Sequence, residues 1–252
     1  MKKIDISPKF IFALTLLFVY IILFEFILPL NRVLPKPSIL YESLIDVWND
    51  YNLIFAMSIT TSIVYFSLLI SYFISRFISI LLIKIEFEFP SVIEKVKIFQ
   101  YFPAFFFAII FIFWFEDNIV YEFVFTLLFS SIALCIVHVN EVKSIKENYL
   151  LVAKNLGLST NQIYSKVVLK SIQPKVFASM NKIHYQVWIL VMIYEFIANI
   201  NGFGGVYKDA LSYSDFSGLF AIALIIALLI FIGNIGINFT YKKLFFWIND
   251  KN

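Results

Sequence analysis

The sequence predicts an all-α membrane protein, a bundle of about six transmembrane helices forming a single domain over residues 1–252. Three observations predict it. Of the 252 residues, 61% are hydrophobic and the mean hydropathy is +0.88, well above the ~45–50% apolar share of soluble domains. The apolar residues fall into runs about as long as a membrane span, which needs ~20 residues. The basic residues gather between alternate runs.

The first run covers 10–30, after the start MKKIDISPKF. It is longer than the apolar region of a signal peptide and no A-x-A-like site follows, so it reads as a retained span. The second covers 53–75, or continues to 83. Residues 84–98 carry Glu86, Glu88, Glu94, Lys95 and Lys97 and read as an amphipathic segment at the interface. A third span, 99–115, has Pro103 near its start, and Glu116-Asp117 leaves only a tight turn before the fourth, 118–138. The fifth and sixth cover 183–200 and 217–240. Cys135, the one cysteine, lies inside a span as a small packing residue and excludes an intramolecular disulfide.

With the N-terminus in the cytoplasm, six spans put 17 of the 20 basic residues on the cytoplasmic side; only Arg32, Lys36 and Lys208 face outside. The positive-inside rule therefore predicts both termini in the cytoplasm. It also puts there the longest polar stretch, 140–174, NEVKSIKENYLLVAKNLGLSTNQIYSKVVLKSIQP. Ile145, Tyr149, Val152 and Leu156 recur at helical spacing. Gly157 suits a left-handed helix end. Ser159 with Gln162 three residues on forms a capping box, and Pro174 marks where the segment turns back into the membrane. Helix, turn and helix on one side of a bilayer read as a unit offered to a soluble partner.

Here the chain resembles the inner-membrane permease subunits of ABC importers, whose signature is E-A-A-x3-G-x9-I-x-L-P. Ala153, Gly157 and Leu169 match in register, and Val167 stands for the Ile. Leu151, Val152 and Lys170 occupy the Glu, first Ala and first Pro positions; Pro174 retains a second proline common in these loops. Leu34-Pro35-Lys36-Pro37-Ser38, Phe102-Pro103-Ala104 with Phe113-Trp114-Phe115, and Glu195 with Gly202-Phe203-Gly204 resemble, in order, segments of the nitrate/sulfonate/taurine type.

The resemblance implies a type I importer-like bundle in the cell inner membrane, multi-pass and surrounded by lipid. Two copies, or this chain and a paralogue, would form the pathway; an extracytoplasmic binding protein would deliver a small solute of the sulfonate, nitrate or heterocyclic vitamin-precursor class. It implies that the helix ending at Gly157 is a coupling helix docking on an ABC ATPase subunit. Leu150, Ala153 and Leu156 would make the contacts, Lys146 and Lys154 would lie on the rim, and Leu151 removes the charge the family uses there. Leu158, Leu169 and Pro174 complete the coupling loop.

Catalytic chemistry is not expected of this chain. It has no G-x-x-x-x-G-K-[ST], so ATP and Mg would be bound by the partner ATPase. His138 and His184, at the cytoplasmic ends of two spans, lack metal-ligand neighbours and read as interfacial or helix-packing histidines, and no cofactor, metal or nucleic-acid partner is expected. Gly202–Gly205 reads as a tight turn after a span. Glu195, about twelve residues or ~18 Å into the fifth span, has two readings: a lining or gating residue of the pathway, or a protonated or hydrogen-bonded structural link between helices. Glu25 and Glu122 lie nearer the outer ends of their spans and are expected to snorkel. The rival functions are an ATP-independent secondary transporter or channel, which would need coupling carboxylates and repeated halves, and a diverged permease acting mainly as an assembly scaffold.

Overall fold

The computed structural model describes residues 8–28, 34–89, 103–115, 118–145 and 147–249. Among them the chain is helical throughout, with turns between and no strand. Helix α1, Pro8–Ile21, widens into a π-helical stretch, Ile22–Ile27. Then follow α2 (Pro37–Asp50), α3 (Leu53–Glu88), α4 (Ala104–Trp114) and α5 (Ile119–Val142). Helix α6 is Glu147–Asn155. Helix α7 spans 160–178 with a π-helical stretch, Ile163–Val168, in its first half. Helices α8 (Met180–Ala198), α9 (Phe203–Ser212), α10 (Phe216–Leu244) and the short α11 (Phe246–Asn249) complete the chain.

Apolar helices occupy all six places the hydropathy marks, but they differ in reach. Segments of α3, α5 and α10 are each long and apolar enough to cross a membrane alone, and α8 with α9 makes a fourth span bent by 52°. The apolar stretches at Leu14–Ile27 and in α4 are shorter than a span. Helix α3 overruns its expected end: it continues to Glu88, where Lys84 and Glu88 pair at 4.0 Å one turn apart. The expected interfacial segment therefore begins as more of the same helix, and its remainder, 90–98, lies outside the described residues, as does Phe102.

The bundle packs by two different means. Around the fully buried Trp188, side chains of α3, α5, α7, α8, α9 and α10 form the main apolar core, with Leu134, Ile172, Val187, Phe203 and Ile222 fully or nearly fully buried. Along the α3–α5 contact, small polar residues let the backbones approach instead. Ser67, Ser71, Ser75 and Ser79 recur every fourth residue of α3 and are all fully buried. Ser71 meets Ser130 of α5, Oγ to Oγ at 2.5 Å, and donates to the Leu127 carbonyl at 3.1 Å. The other hydroxyls of the row bond carbonyls of their own helix, Ser67 to Val64, Ser75 to Tyr72 and Ser79 to Ser75, so no hydroxyl of the row is left bare in an apolar setting.

The loop between α5 and α8 folds as expected from its caps. The Leu158 N–H donates to the Ala153 carbonyl (3.2 Å) and the Gly157 N–H to that of Lys154 (3.0 Å), with Gly157 at φ 77°. This is the Schellman arrangement that ends a helix on a left-handed glycine. The capping box of α7 forms, the Ser159 N–H donating to Gln162 Oε1 at 3.0 Å. Pro174 differs from expectation. It is buried inside α7, which runs four residues further, and the chain turns at Ser179, whose N–H is shared between the Lys175 and Val176 carbonyls.

Candidate functional site

Two places gather the residues with functional potential: the outward face of α6 and a buried carboxyl group at the bend between α8 and α9. They lie toward opposite ends of the bundle, since α5 and α8 each run from one to the other.

Helix α6 divides its apolar residues between two faces. Ala153 is 4% exposed and Leu150 half-buried, both turned to the chain's own core. Tyr149, Leu151, Val152 and Leu156 point away from it, Leu156 being 75% exposed. The expected contact set of Leu150, Ala153 and Leu156 is thus split. Of the three only Leu156 is free to meet another molecule, and Leu151, at the signature's glutamate position, joins it. Lys154 is exposed beside them; Lys146 lies outside the described residues. Leu158 is half-buried under the turn, and Leu169 and Pro174 are buried along α7, where they hold the loop rather than present a surface.

The loop is tied to the spans by polar links. Tyr72 of α3 donates to Gln173 Oε1 of α7 at 2.6 Å, and Gln173 Nε2 lies 3.4 Å from His138 Nε2 of α5. Lys175 Nζ donates to Ser144 Oγ at 2.7 Å and pairs with Glu141 at 3.6 Å. Displacing α7 therefore pulls on α3 and α5 through a nearly buried amide. His138 also bonds the Leu134 carbonyl through Nδ1, and His184 accepts from the Trp188 indole at 2.9 Å. Both histidines are fully buried and serve packing. No group of three metal-ligating side chains occurs among the described residues.

At the bend, Glu195 is fully buried and both its oxygens accept hydrogen bonds. Thr60 of α3 donates to Oε1 at 2.5 Å, and the Gly204 N–H to Oε2 at 2.7 Å; the Phe203 N–H in turn donates to the Thr60 hydroxyl at 2.9 Å. The first turn of α9 leaves N–H groups without intrahelical acceptors, and Glu195 and Thr60 supply them. These bonds tie α8 to α3 and to the start of α9. The glycines serve this contact. Gly202, at φ 155°, has no room for a Cβ because the Glu195 carboxyl occupies the space, and a Cβ on Gly204 would overlap the Met192 carbonyl. The expected tight turn is therefore shorter than the glycine run. It ends at Gly202, and Phe203, Gly204 and Gly205 already belong to α9.

Glu122 departs furthest from expectation. It does not snorkel: it is fully buried on α5, beside Glu195. The snorkelling rule fails because Glu122 lies on the buried face of α5, one turn before Phe125, which stacks on Tyr194 of α8; Ile119 and Val120 of the same turn are exposed. Glu25 likewise finds a protein partner, its carboxylate accepting from the Ser38 N–H at 3.2 Å and from the Ser38 hydroxyl at 3.0 Å, at the start of α2.

Residues 96–245, which hold the loop, both carboxyls and the bend, match the family described as binding-protein-dependent transport system inner membrane component. No curated protein matches the chain. The matched region covers more than half of the sequence and contains three of its full-length apolar spans, so the chain belongs to this family of multi-pass membrane proteins and is a permease subunit of the ABC importer type.

Proposed function

We propose that this permease works in an ATP-driven importer and that α6 is the element through which an ATPase subunit drives it. The observation that carries the reading is the outward face of α6. Tyr149, Leu151, Val152 and Leu156 are all more than half exposed on a helix outside the apolar spans, an arrangement that marks a protein contact. The loop is on the side that the basic residues assign to the cytoplasm, where ATP is found. ATP and Mg would be held by the partner. ATP-driven closure of two ATPase subunits would draw two copies of α6 together, one from this chain and one from a second permease copy or paralogue. The Tyr72–Gln173–His138 link would pass that movement to α3 and α5, and the bend at Glu195 is the natural place for the far end of the bundle to respond.

An extracytoplasmic binding protein would deliver the solute, a small molecule of the sulfonate, nitrate or heterocyclic class, in the cell inner membrane. In the four apolar spans the Lys and Arg residues lie toward the ends, Arg76 in the C-terminal part of α3 among them, so an uncharged heterocycle suits the bundle at least as well as an anion. Affinity purification in mild detergent tests the reading. An ATPase should accompany the wild type and be lost with Leu156→Asp, whose side chain is exposed and free of any folding role. Equal recovery with both, or no ATPase with either, would sink it.

A further inference from the structure

We propose that Glu122 and Glu195 share one proton, carried by Glu122, and that this carboxyl–carboxylate pair latches α5 to the bend between α8 and α9. The hydrogen bonds divide the roles. Glu195 accepts from the Thr60 hydroxyl on one oxygen and from the Gly204 N–H on the other, donors that favour the ionised form. Glu122 is equally buried, yet neither of its oxygens has a donor of good hydrogen-bond geometry among the described residues. A second bare carboxylate beside the first would be an uncompensated buried charge. A proton on Glu122 removes that charge and turns the bare group into a donor for the carboxylate beside it.

The surroundings supply no alternative counter-charge among the described residues. Helix α3 contributes Thr60, and α4, packed on α8, contains no titratable side chain. From α5 and α8 come Phe125 and Tyr194, their rings stacked at 5.5 Å. The cation of α9, Lys208, lies over the Phe196 ring at 6.0 Å and forms no ion pair with either carboxyl. If the proton leaves to solvent, two like charges face one another across the α5–α8 contact and drive the bend away from α5. The latch is a property of this chain alone, so it stands or falls independently of the ATPase reading.

Infrared spectroscopy of the purified chain labelled with carbon-13 glutamate tests it. At neutral pH the wild type should show the carbonyl band of a protonated glutamic acid. That band should vanish in Glu122→Gln and persist in Glu195→Gln, which removes the carboxylate but leaves Glu122 without a charge partner. Wild-type and Glu122→Gln spectra that superimpose in the acid carbonyl region would overturn the proposal. Should Glu122→Gln fail to fold, the wild type decides by itself. Alkaline titration should remove the band together with a fall in Tm, and a wild type lacking an acid band at neutral pH contradicts the latch.

Discussion

The bend at Glu195 and the loop at α6 are opposites in how they use polarity. At the bend, polar groups lie in the interior, and a carboxylate, a hydroxyl and two backbone N–H groups there close on one another. At the loop, apolar side chains lie on the surface, and none of the described residues covers them. The first arrangement is complete within one polypeptide. The second is incomplete, and its incompleteness is the functional signal. A damaging change at the bend should therefore act on folding, whereas one at the loop should act on assembly and leave folding untouched.

The largest effect should come from Gly202→Ala. The substitution puts a Cβ where the Glu195 carboxyl sits and forces a non-glycine residue to φ 155°, two penalties that together reach several kcal/mol, roughly 3–5. A fall in folded yield and Tm in detergent checks it. Gly157→Ala sharpens the contrast. Gly157 also has a positive φ, but nothing lies within 4 Å of an added Cβ, so only the conformational cost of about 1 kcal/mol applies. Similar losses at the two glycines would break the comparison.

Next in size is the paired change Leu151→Ala with Leu156→Ala. Burying a leucine is worth roughly 1.5–3 kcal/mol, so partner affinity should fall at least ~10-fold, measured by titration of the ATPase subunit in detergent. The Tm of the isolated chain should stay within about 1 °C, because exposed side chains support no core. Gln173→Ala comes third and bridges the two regions. It leaves the Tyr72 hydroxyl and the buried His138 ring without this partner, at a cost of about 1–3 kcal/mol. Because the amide links α7 to α3 and α5, it should also lower coupling between ATP hydrolysis and transport, read as ATPase activity retained while uptake drops.

The smallest effect concerns the far end, where Tyr51 donates to Asp215 at 2.9 Å. Desolvation first, then the hydrogen bond to Asp215, raise the phenol above its ordinary range. A group raised on folding adds stability that is fully present below its unfolded value and disappears as pH climbs through the folded one. The wild type should thus lose Tm at alkaline pH more steeply than Tyr51→Phe, which at neutral pH costs only ~1 kcal/mol. Parallel melting curves would count against that bond.

Much of the fold was legible because the sequence carries local signals for it. Gly157 and the Ser159–Gln162 pair marked the turn of the loop, and apolar run length marked the helices. Reach was less legible. Hydropathy falls at Lys84, but the helix does not end there, since a charged pair one turn apart is as compatible with helix as with interface. The serines at 67, 71, 75 and 79 carry a four-residue spacing that signals close helix approach, a pattern that hydropathy does not weigh. Glu122 was beyond local signals altogether. Its position near a span end says snorkel, and only the packing of α5 against α8 buries it. The facing of α6 was hidden for the same reason, because periodicity shows that a helix has an apolar side without showing which apolar residues its own bundle already covers.

The most direct test of the account is a photo-crosslinking scan of α6 in native membranes, with the probe placed in turn at 149, 150, 151, 152, 153 and 156. The account predicts adducts to a Walker-A ATPase from 149, 151, 152 and 156, and none from 150 or 153, which face the chain's own core. Adducts from 150 and 153 in place of the exposed set, or no ATPase adduct at any position, would contradict it.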